Sequence, residues 1–514
     1  MLIAAVKPGH DGSIALLADH RLVHNIEQEK DSLPRYGELT GLRLLELMAI
    51  ADRPPDVLAV GGWLKGAGRA EIGAGYLGVD AVTSGVTKLF GHEMRYFSSS
   101  HERSHIMMAM GMAPGPTPPR TAVLVWEGHL GAFYVVDADW RVVEKINVME
   151  QPGDRYALLF DIADPSFAEP RYPRLGSSGK LMALAAYGDA GDASAAVVQS
   201  VARILTPSGR RISTATKWEF VDSPLFNAGV EAQVTKDAAA LLSRRLFDAF
   251  ADAARRSLPP GLPLRVSGGC GLNCEWNRRW RDLGHFCSVF VPPCTNDSGS
   301  AIGTAVDAAH FFTGNGTIDW NVYTGLDFDL DVVPAGAWRK APYDLTEIAG
   351  AILAGRVTAW VQGAWELGPR ALGNRSLLAT PFDRSSHDVL NRIKQREGYR
   401  PIAPSCRSED LHLVFDETFD DPYMLYFRRV TSPLIPAVTH VDGTARVQTV
   451  RQAENPRFHE LLTRVAAVRG VGILCNTSLN WPGHGFINRM SDLLKYCEKR
   501  GVDQIVVGTE RYVR

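Results

Sequence analysis

The sequence predicts an α/β protein in two domains, the first of which contains an internal duplication. Its opening segment reads as strands joined by turns, LIAAV, PGHDG, SIALL, ADH and RLVHNI, and the same order returns from Thr121 as TAVLVW, EGHLG, AFYVV, DAD and WRVVEKI. Two later units, PLRVSGGCGLN and CSVFVPPCTNDSGSAIG, run an apolar strand straight into a loop of small residues. That is where open α/β sheets bind ligands. The stretch 312–343 is irregular and rich in Asp, Gly and Pro. It sets the expected boundaries: a first domain at 1–325, a linker at 326–343 and a second α/β domain at 344–514.

Each meander carries an acidic residue and glycines in its first turn. Nucleotide-binding folds of the actin and hexokinase type resemble this, being built from two such halves whose first turns face the phosphates. After the second meander comes a mostly helical region, about 179–256, in which KDAAALLSRRLFDAFADAARR shows a clear helical period. Beyond the linker, strands are expected at RVTAWV, YMLYFRRV, GVGILC and QIVVG, with helices between them.

Composition excludes several classes. With 514 residues, 45% apolar, the chain can build an ordinary core in each domain. Its formal charge of −2 gives no wholesale attraction to nucleic acid or anionic membrane. MLIAAVKPGHDGS breaks too early for a signal peptide, and no run approaches the roughly 18 apolar residues of a membrane span. The seven cysteines are odd in number and include no CxxC pair, which argues against a disulfide framework or a zinc ribbon. A reduced, cytoplasmic enzyme is expected.

The most informative stretch is GPRALGNRS (368–376), followed by KQREGYRP (394–401). Between Arg356 and Arg400 stand eight Lys/Arg against four Asp/Glu, in a chain whose totals are 55 and 57. These arginines sit among Gly, Pro and Asn rather than interleaved with aromatics, so they suit the oxygens of a small phosphate-bearing molecule better than a nucleic acid. A solvated loop whose arginines pair with nearby carboxylates is the plain alternative.

His101 and His105 in HERSH are four apart and would share one helix face, as a two-histidine metal site requires. Two unrelated histidines are the alternative, and Asp297 in TNDSGS is the candidate third ligand. Two imidazoles and a carboxylate suit Fe(II) or another divalent ion with open positions. Met107, Met108, Met110 and Met112 read as core. The loop SGGCGLN (267–273) lets backbone approach a nucleotide closely. GAGYLG (73–78) follows no predicted strand and fails as a Rossmann motif, and GSSGK (176–180) lacks P-loop spacing. His10, beside Asp11 in the first turn, is placed to deprotonate an alcohol. A turn Asp capping its own backbone beside a surface histidine is the alternative. THVDGTARVQ (439–448) and CNTSLN (475–480) add polar loops at strand ends.

Taken together, PGHDG, HERSH, GKLMALAAYG, SGGCGLN, NDSGSAIG, GPRALGNRS, KQREGYRPIAP, HVDGTARVQT and NTSLN resemble, in order and over nearly the whole chain, the O-carbamoyltransferases of the nodulation-protein U and antibiotic-tailoring family. MLIAAVKPGHDGS and HERSHIMMAMGMAPG are most similar to the branch that carbamoylates the 3-hydroxymethyl group of cephem antibiotics. The resemblance implies a Kae1-like first domain, of the actin/hexokinase superfamily, and a YrdC-like second domain. It implies that carbamoyl phosphate and ATP form carbamoyladenylate in the second domain and that the carbamoyl group passes to an alcohol in the first. Lys394 and Arg400 would bind carbamoyl phosphate and act in catalysis, with Arg370, Arg375 and Arg396 nearby. His440, Thr444, Arg446, Asn476 and Ser478 would bind ATP, with or without Mg. Gly268, Gly269 and Asn273 would contact the adenylate, and His101, His105 and Asp297 would hold the divalent metal. His10, supported by Asp11, would be the general base. The implied partners are carbamoyl phosphate, ATP and a hydroxylated small-molecule acceptor, with no nucleic acid and no membrane; a homodimer stays open.

The chain departs from the family pattern at WEGHLGAFY, where Glu127 and His129 stand in the second meander turn, at Leu479 in NTSLN, and at SGK (178–180). Rival expectations are carbamoylation of another antibiotic, tRNA threonylcarbamoylation, or a nucleotide-binding scaffold. Near-neutral charge counts against the tRNA reading. A scaffold would need neither the metal candidates nor the Lys394/Arg400 set.

Overall fold

The computed structural model describes residues 1–65, 70–89, 91–167, 174–206 and 215–514. The part of the expected helical region at 207–214 lies outside them.

The opening meander folds as three antiparallel strands, Leu2–Lys7, Ser13–Ala18 and Arg21–Glu27. Leu2–Lys7 also pairs in parallel with Val57–Gly61, which pairs in parallel with His92–Ser99. The second meander repeats this order. Arg120–Trp126, Gly131–Asp137 and Val142–Asn147 are antiparallel, and Pro263–Ser267 and Ser288–Phe290 follow in parallel on the far side of Arg120–Trp126. The first sheet adds an antiparallel edge strand, Val82–Leu89, and so has six strands against five. Leu2–Lys7 is central and buried at every position, as a strand covered on both faces must be.

Each half ends in a helix that crosses to the other. His101–Met112 follows the first sheet but packs on Arg120–Trp126 and Pro263–Ser267 of the second; Ser300–Thr313 follows the second but packs on Leu2–Lys7 and Val57–Gly61 of the first. The two helices also pack on each other, and Met107, Met108, Met110 and Met112 are buried in the shared core. Ser100 Oγ caps the first helix by accepting the Arg103 N–H at 3.1 Å. His101 and His105 therefore stand one turn apart at its start. Helices Pro152–Ala163, Ser177–Ala185, Ala195–Leu205 and Gln233–Ser257 pack together beside the second sheet around Leu181, Leu242 and Phe250.

An eight-stranded sheet holds the C-terminal part, with the strand order Arg339–Ala341, Glu510–Val513, Gln504–Val507, Thr358–Val361, Arg375–Ala379, Ile473–Ser478, Ala403–Arg407, Gln448–Val450. Helices Leu345–Leu353 and Pro456–Arg469 cover one face, and Ser385–Lys394 and Met490–Arg500 the other. The segment YMLYFRRV differs from its expected strand, since only Arg428–Arg429 forms a strand, with Val430 in an isolated bridge to Phe415. Its backbone is engaged by side chains instead. Asp421 accepts the N–H groups of Leu425 and Tyr426, while Asn277 donates to the Leu425 carbonyl at 2.9 Å.

The irregular stretch between the sheets is hydrogen-bonded along both sides. Leu22 and Asn25 of the first sheet donate to Asp319 and Thr324 at 2.9 and 2.8 Å, and Leu367 donates to Val322 at 2.8 Å. This strap holds the edge of the first sheet against the GPRALGNRS loop.

Candidate active site

The Leu2–Lys7 strand delivers Lys7 to a crevice between the first two sheets, and the turn that follows puts Gly9 and Asp11 in the left-handed region at φ 76° and 51°. Below that turn, His101, His105 and Asp297 offer ligand atoms all within 4.8 Å of one another. His105 Nε2 is 3.4 Å from Asp297 Oδ1 and His101 Nε2 is 3.7 Å from Asp297 Oδ2. The other ring nitrogen of His105, Nδ1, is engaged by Ser267 Oγ at 2.9 Å, which turns Nε2 towards the carboxylate. Both Nε2 atoms and Asp297 Oδ2 are buried with no hydrogen-bond partner.

Burial holds the His101 imidazole neutral, its pKa well below the usual range. Burial is the largest single influence and works against an ionised Asp297, yet Lys7, 3.3 Å from Oδ2, together with His101, His105 and His10 outweighs it and holds the carboxyl well below its usual range. Two imidazole nitrogens and a carboxylate, buried together within 4.8 Å, form a donor set that fits a divalent cation. Trp63 and Tyr76 roof the group: Tyr76 stacks on His101 at 4.5 Å, and Trp63 meets His10 and His101 at 5.0 and 4.9 Å. GAGYLG has a local task here, since the carbonyls of Gly75 and Tyr76 accept the N–H groups of His101 and Glu102.

His10 Nδ1 lies 3.0 Å from Asp11 Oδ2, and its side chain is 41% exposed to the cavity. Burial would lower its pKa, but the hydrogen bond with Asp11 and the charge of Asp297 raise it. In the second meander turn, Tyr76 donates to Glu127 Oε1 at 2.9 Å, and His129 stands 3.7 Å from Asp154, whose carboxyl is pushed up to about 6 by burial. Gly268 has φ 95°, and a Cβ there would stand 2.3 Å from the Trp126 carbonyl oxygen. Gly269 and Asn273 line the cavity, whereas Gly268 lies behind its wall. Asn273 Oδ1 also caps the Cys274–Asp282 helix by accepting from Glu275 and Trp276 at 3.2 and 3.3 Å.

At the other end stands a cluster of cations. Lys394 closes the Ser385–Lys394 helix, and its ammonium donates to Ser478 Oγ at 3.2 Å and to Asn480 O at 3.3 Å. Burial and the charges of Arg396, Arg35 and Arg400 depress its pKa well below the usual range. Burial, then Arg446, lowers Arg370 to about 9; burial, then Arg400, does the same to Arg396. Arg370 Nη2 donates to the Leu272 carbonyl at 3.0 Å, tying this cluster to SGGCGLN. Arg400 stands 3.7 Å from Glu397, which meets Lys180 at 2.7 Å. An anion is what such a set lacks.

Arg375 is a correction to the expected donor site. It is fully buried, and its guanidinium donates to the carbonyls of Gln362, Asn374 and Gly363 and to Asn488 Oδ1, so it braces the loop and faces away from the cavity. Thr444 also stands back from the cavity wall, bonded to Asp442 at 2.7 Å and close to His440 Nδ1 at 3.2 Å. His440 does reach the cavity, where burial lowers its pKa to about 4. Arg446, Asn476 and Ser478 line the same wall. Lys7, Arg35, Trp63 and Tyr76 carried no signal in the sequence beyond their nearness to PGHDG and GAGYLG.

Both ends belong to one cavity of about 1370 Å³, lined by His10 and Asp297 as well as Lys394, Arg400 and His440. A buried clamp aligns them. Glu27 Oε1 accepts the Gly368 N–H at 2.8 Å and Lys30 donates to the Gly368 carbonyl at 2.6 Å. Gly368 has φ 78°, and a Cβ there would meet the Pro293 carbonyl at 2.3 Å, so the anion loop abuts the strand-end loop that carries Asp297.

A cavity at the carboxyl ends of parallel strands, rich in cations at one end and in metal-type donors at the other, defines a group-transfer enzyme. Comparison with known proteins gives the family. Residues 81–306 match the family model of the carbamoyltransferase N-terminus and residues 349–514 that of the carbamoyltransferase C-terminus. A 3'-hydroxymethylcephem-O-carbamoyltransferase of Amycolatopsis lactamdurans is 56% identical over 100% of this chain and 99% of its own length. Its namesake in Streptomyces clavuligerus is 55% identical over the same shares. Nodulation protein U of Sinorhizobium fredii is 33% identical over 95% of each chain. Among solved structures, the activator of the 2-hydroxyisocaproyl-CoA dehydratase from Clostridium difficile aligns at a TM-score of 0.35 and 11% identity, over 61% of this chain and 97% of that one. The chain belongs to the carbamoyltransferase family. No helix among the described residues is long and apolar enough to cross a membrane.

Proposed function

We propose that the protein is an ATP-dependent O-carbamoyltransferase that moves a carbamoyl group from carbamoyl phosphate, through carbamoyladenylate, to the hydroxymethyl group of a 3-hydroxymethylcephem. In this reading residues 1–325 form a Kae1-like transfer domain of the actin type and 344–514 a YrdC-like domain, joined by 326–343. The observation that carries it is the single cavity joining the Lys394 cluster to the His10 and Asp297 crevice. The acceptor is that of the 3'-hydroxymethylcephem-O-carbamoyltransferases to which the chain is 56% and 55% identical.

At the cationic end, Lys394, Arg396, Arg400 and Arg370 bind carbamoyl phosphate, whose phosphate is released to water to leave carbamate. Arg446, His440, Asn476 and Ser478 hold ATP so that a carbamate oxygen attacks the α-phosphorus and expels pyrophosphate. Carbamoyladenylate then moves within the cavity to the first-domain end, where Gly269 and Asn273 receive its nucleotide. The acceptor hydroxyl attacks the carbamoyl carbon, its proton passes to His10 oriented by Asp11, and the bond to AMP breaks. A divalent ion held by His101, His105 and Asp297 would supply positive charge to the departing phosphate.

Pyrophosphate release from ATP, measured with and without carbamoyl phosphate and with a decarbamoylated 3-hydroxymethylcephem in one arm, tests this. Release should require carbamoyl phosphate, and a product heavier by one carbamoyl group should appear only with the acceptor. Release without product would overturn the cephem assignment, and no release under any condition would overturn the reaction.

A further inference from the structure

The cationic cluster includes one guanidinium that does not come from the C-terminal part. Residues 32–35, just past the first meander, pair with the loop that follows Asn480. Arg35 N–H donates to Gly483 O at 3.0 Å, Gly485 N–H to Leu33 O at 3.0 Å and Ser32 N–H to Phe486 O at 2.9 Å. That loop continues the segment whose Ser478 and Asn480 hold Lys394. The pairing brings the Arg35 side chain into the cavity wall beside Tyr36.

There Glu29 meets its charge in part and raises its pKa. Glu29 Oε2 lies 3.5 Å from Arg35 Nε, and that nitrogen is buried without a hydrogen bond. The Arg35 charge also acts on Lys394, Arg370 and Arg400, helping to depress all three. A guanidinium that crowds three cations and keeps a buried donor free fits an anion shared among them.

We infer that Arg35, supplied by the N-terminal half, binds the phosphate oxygens of the carbamoyl donor together with Lys394 and Arg400. The donor identity rests on the reaction proposed above. The donor site is then complete only when residues 32–35 are zipped to the 483–486 loop, so donor binding reports that the two halves are docked.

The test uses the full chain and the variants Arg35→Gln and Arg35→Lys, with thermal melting to show that each folds. Inorganic phosphate binding, read by calorimetry, examines Arg35 independently of the reaction. Arg35→Gln should weaken it about tenfold, and Arg35→Lys should recover part of the loss. In pyrophosphate release, KM for carbamoyl phosphate should rise by about the same factor while KM for ATP stays unchanged. Equal phosphate affinity in folded Arg35→Gln, or a rise confined to the KM for ATP, would overturn the inference. A wild-type protein that binds phosphate but releases no pyrophosphate would overturn the reaction and leave Arg35 as an anion ligand.

Discussion

At the His101–His105–Asp297 end of the cavity, two imidazole nitrogens and a carboxylate oxygen are buried close together without a hydrogen-bond partner. At the Lys394 end, buried donors crowd together, and the nearest carboxylates, Glu29 and Glu397, stand 3.5 and 3.7 Å from Arg35 and Arg400. Burial makes each imbalance costly, because an uncompensated group inside a protein loses its hydration without gaining a partner. Each end can therefore lower its energy by taking up further opposite charge: a cation at the first, an anion at the second. Lys7 marks the contrast. It sits at the cation-seeking end, where with the neighbouring histidines it helps keep Asp297 ionised.

Removing the key charge from each end breaks the comparison most sharply. Lys394→Ala should cut carbamoyl-phosphate-dependent pyrophosphate release by about two to three orders of magnitude. Asp297→Ala should bring the metal content of the purified protein, read by elemental analysis, to background; unchanged metal would remove Asp297 from the ligand set.

Arg375 sharpens the comparison from the structural side. Arg375→Met removes the guanidinium donor from the carbonyls of Gln362, Gly363, Asn374 and Leu326 and from Asn488 Oδ1. It should destabilise the fold by about 3 to 5 kcal/mol in urea unfolding. The KM for carbamoyl phosphate should hardly change in whatever folds, because the guanidinium faces away from the cavity.

The smallest effect is in pH dependence. Asp154 has its pKa raised by burial to about 6 from an ordinary 3.8. The folded chain thus holds this proton more tightly than the unfolded one. The stability that follows is fully present below about pH 4 and is lost as pH rises through about 6, an effect on the order of 3 kcal/mol. Asp154→Asn should flatten that part of the stability profile; an unchanged slope would show that Asp154 titrates normally.

Much of this was legible because chemistry and spacing coincided. HERSH needed only a capped helix to bring two imidazoles to one face, and PGHDG and TNDSGS end strands that the sheets bring together. KQREGYRP declared its charge density outright. What stayed hidden depends on contacts across the chain. Arg35 and Lys394 are far apart in sequence and meet through backbone pairing of 32–35 with 483–486. Arg370 and Arg375 share one motif, yet Arg375 begins a strand and turns its side chain into the interior, which no motif reveals. YMLYFRRV has strand composition, but Asp421 and Asn277 take its backbone groups. Trp63 and Tyr76 became a roof over the metal donors only once GAGYLG was laid against the helix that carries them.

The most direct test of one cavity with two opposite ends is the division of the half-reactions in His105→Ala, with pyrophosphate and carbamoylated acceptor measured in the same tube. The account predicts carbamoyl-phosphate-dependent pyrophosphate near the wild-type level and no carbamoylated product. Equal loss of both in a folded His105→Ala protein would contradict it.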